Sequence, residues 1–181
     1  MNGFGQLVQE WQVFYATIAT SAATLVGLLF VAMSLNLGTF AGHENIGLKK
    51  LAGQTLTNYL FIIVFALIFL IPRQGPIGLG VPLICNGLGG LTRTVFHLRP
   101  LFSNIPQGIS RKDTFVRAAM TVVGFLVLII VSFLVMVRAN AGSLYWLVAP
   151  MILLLISASL NTWSLLIRAH EASAKTRHQK H

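Results

Sequence analysis

Polar side chains recur at helical spacing inside two otherwise apolar segments. The first set is Asn86, Gly90, Arg93 and His97, and the second is Ser157, Asn161, Ser164 and Arg168. Steps of three and four residues place each set on one face of a helix. Amide and hydroxyl groups within an apolar helix either hydrogen-bond to a neighbouring helix or line a path for a polar solute. We expect the two stripes to pack together around a shared polar interior formed by Asn86, Arg93, His97, Ser157, Asn161 and Ser164.

The cationic members of these stripes have an alternative placement near the membrane surface. Arg93 lies roughly 24 Å along its helix from Ile77, so its guanidinium can reach the lipid headgroups. An arginine at the bilayer centre would cost roughly 3 kcal/mol on insertion scales. We favour the headgroup placement for Arg93, and His97 and Arg168 are nearer still to water. For the two asparagines we favour a structural hydrogen bond over transport.

Motifs for catalysis or metal binding do not occur in the chain. There is no HExxH, GxSxG or Walker-type sequence. The four acidic residues, Glu10, Glu44, Asp113 and Glu171, are all predicted to lie outside the hydrocarbon. We therefore predict no catalytic residues, no cofactor and no metal site. Cys85 is the single cysteine, which excludes an intramolecular disulfide and predicts a small buried apolar side chain.

Composition places the chain in a membrane. Of 181 residues, 55% are hydrophobic and 9% are charged, and the mean hydropathy is +0.77. Soluble domains carry roughly 25% charge. The net charge of +9 comes from basic residues that flank the apolar runs, without a dense patch interleaved with aromatics. This pattern argues against nucleic acid as a partner and favours anionic lipid headgroups.

Apolar runs define the helices. A ruler of about 20 residues gives spans at 11–37, 51–71, 77–96, 115–137 and 144–167. The sequence therefore predicts an all-α integral membrane helical bundle of five transmembrane helices in a single domain, 1–168, followed by a basic cytoplasmic tail, 169–181. Five glycines and Pro82 make the 77–96 segment ambiguous. The alternative is four spans with a re-entrant or interfacial glycine-rich segment.

The distribution of basic residues predicts an orientation. With five spans, 11 of the 13 lysines and arginines fall on one side, and Arg73 and Arg138 remain opposite. The positive-inside rule then places the N-terminus outside and the C-terminus in the cytoplasm. The four-span alternative reverses the N-terminus and leaves three basic residues outside. The residues expected at the lipid headgroups are Lys49, Lys50, Arg111, Lys112 and Arg168.

The first span carries a stripe of small residues. Ala19, Ala23 and Gly27 lie beside several threonines and a serine, and small side chains let helix backbones approach closely. We predict a helix-packing surface there. Aromatic side chains at the outer ends of spans, among them Tyr15, are predicted interface anchors.

Three segments together resemble a family of small, uncharacterised bacterial multi-pass membrane proteins. They are "WQVFYATIATSAATLVGLLFVAMSLNL", "IPRQGPIGLGV" and "SLYWLVAPMILLLISASLNTWSLLIR". The resemblance covers nearly the whole chain and implies a bacterial cytoplasmic membrane location and five helices, but no activity. In the second segment, Arg73 takes the place of a smaller residue.

Two function classes follow from the sequence. The first is a membrane-embedded structural or regulatory subunit, not an enzyme, that self-associates or binds another membrane protein through small-residue faces. The second is a small oligomeric channel or transporter lined by the polar stripes.

Overall fold

A computed structural model describes residues 3–35, 46–103, 111–138 and 141–178. These residues form an all-α bundle, and no strand occurs among them. The helices are α1 (Gly3–Leu35), α2 (Ile46–Leu70), α3 (Pro76–Ser103), α4 (Arg111–Arg138), α5 (Ala141–Trp146) and α6 (Val148–His178). Four stretches are long and apolar enough to span a membrane: Phe4–Leu35, Leu51–Leu70, Ala118–Arg138 and Gly142–Ile167.

The stretch Gly142–Ile167 comprises two helices because the chain breaks at Leu147. Pro150 has no backbone N–H, so it cannot donate to the carbonyl of Trp146, where a continuous helix would require that bond. The N–H of Leu147 instead donates to the carbonyl of Leu144 at 3.1 Å, a tighter turn. Helix α5 is therefore a short helix that precedes α6 and is separated from it by one turn residue, and the two together make up the span-length stretch.

Helix α3, the ambiguous segment of the sequence, is one uninterrupted helix of 28 residues. It is not among the four stretches with span-like hydropathy, because glycines and polar side chains dilute its apolar residues. It runs antiparallel to α4, with Gly80 against Ser132 and Met136, and Gly87 against Ile129. The α4 residues in these contacts all belong to the apolar stretch Ala118–Arg138. A segment that turned back on itself would not follow α4 in this way, which favours a single straight helix; whether α3 crosses the membrane stays a prediction.

Four helices form a closed ring around the core. Helix α3 lies between α2 and α4, and α6 lies between the same two helices on the other side. Neighbours in the ring are antiparallel. The fully buried side chains of the core include Ile62, Phe65, Phe69, Leu83, Leu128 and Met151. The axis of the ring is thus filled by large apolar side chains.

Helix α1 lies outside this ring, against α2. Four of its buried side chains recur every seven residues, Val8, Tyr15, Ala22 and Leu29, and Phe4 in the first turn is buried as well. Only 11% of its most apolar window is buried, against 39–44% for the other three spans. Tyr15 is fully buried, with its ring stacked on Phe69 at 3.7 Å. The expectation that Tyr15 is an interface anchor is therefore wrong.

The turn between α2 and α3 has a strained residue. Arg73 has φ = 58°, a left-handed conformation that costs a side-chain-bearing residue roughly 1–2 kcal/mol. The next residue, Gln74, is buried and donates its Nε2 to the carbonyl of Ile68 at 2.9 Å, near the end of α2. The turn thus satisfies one of the carbonyls that a helix C-terminus leaves free.

Candidate functional site

Asn86 of α3 is directed into the bundle and bonds to α2. It is 8% exposed, and its Nδ2 donates to the backbone carbonyl of Phe61 at 3.2 Å. Gly89, one turn further along α3, also faces Phe61, since a Cβ there would lie 3.5 Å from its ring. The amide therefore joins α3 to α2, and Gly89 lies at ordinary contact distance from the same residue of α2.

The polar residues of α6 bond to its neighbours in the ring. The hydroxyls of Ser157 and of Thr121, which belongs to α4, are 2.7 Å apart. One turn further along α6, the hydroxyls of Thr162 and of Tyr59, which belongs to α2, are 3.0 Å apart. No pattern in the sequence pointed to Tyr59 or Thr162, because a tyrosine and a threonine in apolar segments show no recognisable spacing.

Asn161 and Ser164 are buried on α6, with 7% and 8% of their surfaces exposed. Four of the six residues predicted for the interior are therefore buried: Asn86, Ser157, Asn161 and Ser164. Their participation in transport or ligand binding stays a prediction.

The two stripes do not pack against each other. Helices α3 and α6 lie diagonally across the ring, separated by α2 and α4 and by the apolar core. The interhelical hydrogen bonds of Asn86 and Ser157 run to these adjacent helices. The expectation of direct packing between the third and fifth spans is wrong, because each stripe meets a different neighbour.

The inward face of α3 does not include Arg93. This residue is exposed, and the buried position at the same level is Thr94, whose hydroxyl donates to the carbonyl of Gly90 at 2.8 Å. The prediction that Arg93 belongs to the polar interior is therefore wrong. A step of three from Gly90 rotates the helix 60° short of a full turn, enough to move the longer side chain out of the core.

Several predicted positions have side chains outside the described residues. They are His97, Lys50, Arg111, Lys112 and Arg168. Lys49, in the first turn of α2, is described and exposed. Cys85 is exposed as well, so the prediction of a buried thiol is wrong: its face of α3 points away from the ring.

The small-residue stripe of α1 lies mainly on the side that faces away from α2. Ala23 and Gly27 are exposed, and a Cβ at Gly27 would meet no atom within 4 Å. Ala19 is partly buried against the core. Beside them is an open groove that we call the α1 groove, lined by Val13, Ala16, Thr17, Thr20, Ser21, Thr24 and Leu25.

The threonines of the α1 groove are satisfied within their own helix. The hydroxyls of Thr17, Thr20 and Thr24 each donate at 2.9 Å to the carbonyl four residues earlier. Hydroxyls bonded in this way can face hydrocarbon without an unpaired donor, and each retains an acceptor for a donor on another helix.

Comparison with family models, with characterised proteins and with solved structures found no match to this chain. The fold and the contacts above therefore define the chain as an all-α helical bundle with four stretches that are long and apolar enough to cross a membrane.

Proposed function

We propose that the protein is a membrane-embedded structural or regulatory subunit whose α1 binds a transmembrane helix of a second copy or of another membrane protein. The observation that supports this function is the exposure of the small-residue face of α1. Apolar contact gives no driving force between helices in lipid, so association depends on close packing and on polar contacts. The α1 groove offers both, while the other helices already pack against one another.

A pore through one copy of the bundle is the weaker proposal, because the core of the ring is apolar. A conducting path needs polar groups or water along its axis, whereas the described axis of the ring is filled by side chains such as Phe65, Leu83 and Leu128. The described hydrogen bonds of Asn86 and Ser157 join helices, which is a structural use of these groups.

Ala23→Leu tests the proposal because it enlarges the exposed face of α1. The matched control is Ala149→Leu, which enlarges an exposed alanine of α6. Mass determination in mild detergent, with detergent and lipid subtracted, should show that the complex formed by the parent protein dissociates with Ala23→Leu and persists with Ala149→Leu. Both variants should keep the parent's thermal stability as monomers, since neither side chain packs inside the chain.

Crosslinking in native membranes gives an independent readout. In a Cys85→Ala background, Thr20→Cys lies in the α1 groove, whereas Ile130→Cys lies on an exposed face of α4. Oxidation should link two copies through position 20 only, and a partner that carries a cysteine facing the α1 groove would be linked there as well. If the parent protein is monomeric in membranes and the Thr20→Cys variant forms no adduct, the proposed function is disproved.

A further inference from the structure

A second concavity lies between α1, α2 and α6. This crevice has a volume of about 240 Å³, eight times the roughly 30 Å³ that one water occupies in the liquid. Its walls are mostly apolar, with Leu25 and Leu28 from α1 and Trp163 and Leu166 from α6. The hydroxyl groups of Tyr59, Ser159 and Thr162 also line it.

All three helices place the crevice at the same depth. It reaches Leu29 on α1, six residues before the span ends at Leu35, and Tyr59 on α2, eight residues after the span begins at Leu51. On α6 it extends from Ser159 to Leu166, next to the end of the span at Ile167. The deepest lining residue is Leu25, ten residues before Leu35. At 1.5 Å per residue, the crevice lies within roughly 15 Å of one membrane surface, in the hydrocarbon of one leaflet.

The hydroxyl groups at the base of the crevice leave few free hydrogen-bond donors for a water molecule. Thr162 donates to the carbonyl of Ala158 at 3.0 Å, so the 3.0 Å contact with Tyr59 has the tyrosine as donor. The protons of Tyr59 and Thr162 are therefore both used inside the protein, and Ser159 is the one further hydroxyl of the lining. A buried water needs two to four polar partners, and this base favours hydrocarbon instead.

The membrane surface above the crevice is basic. Lys49 is exposed two residues before the α2 span, and in sequence Arg168 directly follows the α6 span. Cationic residues at this level attract lipid phosphates. The crevice thus combines a hydrocarbon-sized space with positive charge at the height of the headgroups.

We propose that this crevice binds an acyl chain of an anionic phospholipid, whose phosphate lies near Lys49. The site is separate from the α1 groove, and its occupancy does not require a protein partner.

Fluorescence quenching at Trp163 tests the site directly. Trp163 is 66% exposed and lines the crevice, and Trp11→Phe with Trp146→Phe leaves it as the single tryptophan of the chain. The protein is reconstituted in phosphatidylcholine vesicles that contain a small fraction of a lipid brominated on its acyl chains. This lipid is phosphatidylglycerol in one sample and phosphatidylcholine, at the same fraction, in the other. One basic residue near the surface corresponds to about a fivefold preference for the anionic lipid. We therefore expect brominated phosphatidylglycerol to associate about five times more strongly, and Lys49→Gln to abolish most of that preference.

Two matched variants distinguish the crevice from the general lipid surface. Ser159→Phe fills the crevice and should remove the excess quenching, whereas Leu160→Phe enlarges an exposed neighbour outside it and should not. Near-UV circular dichroism checks that both variants fold. If Ser159→Phe does not fold, Lys49→Gln alone tests the site. Three results would each overturn the proposal. They are equal quenching by the two lipids, excess quenching that survives Ser159→Phe, and a Trp163 that neither lipid quenches because protein covers it.

Discussion

Gly90 and Gly89 are adjacent in sequence, yet they should respond oppositely to the same added methyl group. A Cβ at Gly90 would lie 2.7 Å from Cδ1 of Phe125 and closer still to the end of that ring, far inside the 3.5–4.0 Å of a normal carbon contact. The ring is 1% exposed and packs edge-on against Phe61 at 5.6 Å, so it has no free space to enter. At Gly89 the nearest atom is 3.5 Å away, an ordinary contact.

These distances set the expected magnitudes. Overpacking a core costs about 1–3 kcal/mol, and replacing a helical glycine by alanine returns up to about 1 kcal/mol. Because the clash at Gly90 is severe, the upper part of the overpacking range, about 2–3 kcal/mol, applies there. After the helical gain is subtracted, Gly90→Ala should lose about 1–2 kcal/mol of unfolding free energy. Gly89→Ala should be neutral or more stable by up to about 1 kcal/mol.

Unfolding in mixed micelles of mild detergent and dodecyl sulfate, followed by near-UV circular dichroism, measures both variants. Phe125→Leu in the Gly90→Ala background provides the specific check, because a smaller side chain should relieve the clash. A double-mutant cycle should give a favourable coupling of about 1 kcal/mol or more. Equal stabilities of the two alanine variants, or a coupling near zero, would refute the α3–α4 packing on which the argument rests.

Two further predictions concern the turn and the ring. Arg73→Gly should stabilise the fold by up to about 1 kcal/mol, because glycine adopts φ = 58° without a steric cost, although it also gains freedom in the unfolded chain. The same micelle titration measures this change, and a loss of stability would contradict it. A double-mutant cycle of Thr121→Val and Ser157→Ala should give a coupling energy of about 0.6 kcal/mol, the average for membrane hydrogen bonds. A coupling energy above about 2 kcal/mol would contradict a purely average hydrogen bond and assign the pair a larger role.

The sequence predicted the fold class well because helix length and apolar content are read directly from it. It could not identify which face of α1 is buried. Apolar residues occur on every side of that helix, and a bilayer provides no contrast between inside and outside. Small residues suggested the packing face, but within the chain α1 packs through Tyr15 and Leu29, whose larger side chains fill the space against α2.

The polar residues show the same limit. The spacing of Asn86 and Ser157 placed each correctly on an inward face, whereas their partners, Phe61 and Thr121, depend on the order of helices around the ring. Helical spacing included Arg93 in the inward stripe, although the cost of burying its charge favoured the headgroups. The buried residue at that level of α3 is Thr94. Helix order is a tertiary property that periodicity does not contain.

The closed ring also imposes an order on assembly. Helices α2, α3 and α4 can pair with the next helix as soon as each has entered the membrane, but the contact between α2 and α6 joins residues 103 positions apart, Tyr59 and Thr162. Until α6 is inserted, the face of α2 that will meet it stays open, and the Tyr59 hydroxyl lacks this partner. Among the contacts within the ring, closure has the greatest sequence separation, the kind that is slowest to form. A chaperone or insertase that shields the open side of α2 during synthesis would protect the nascent chain at its most vulnerable stage.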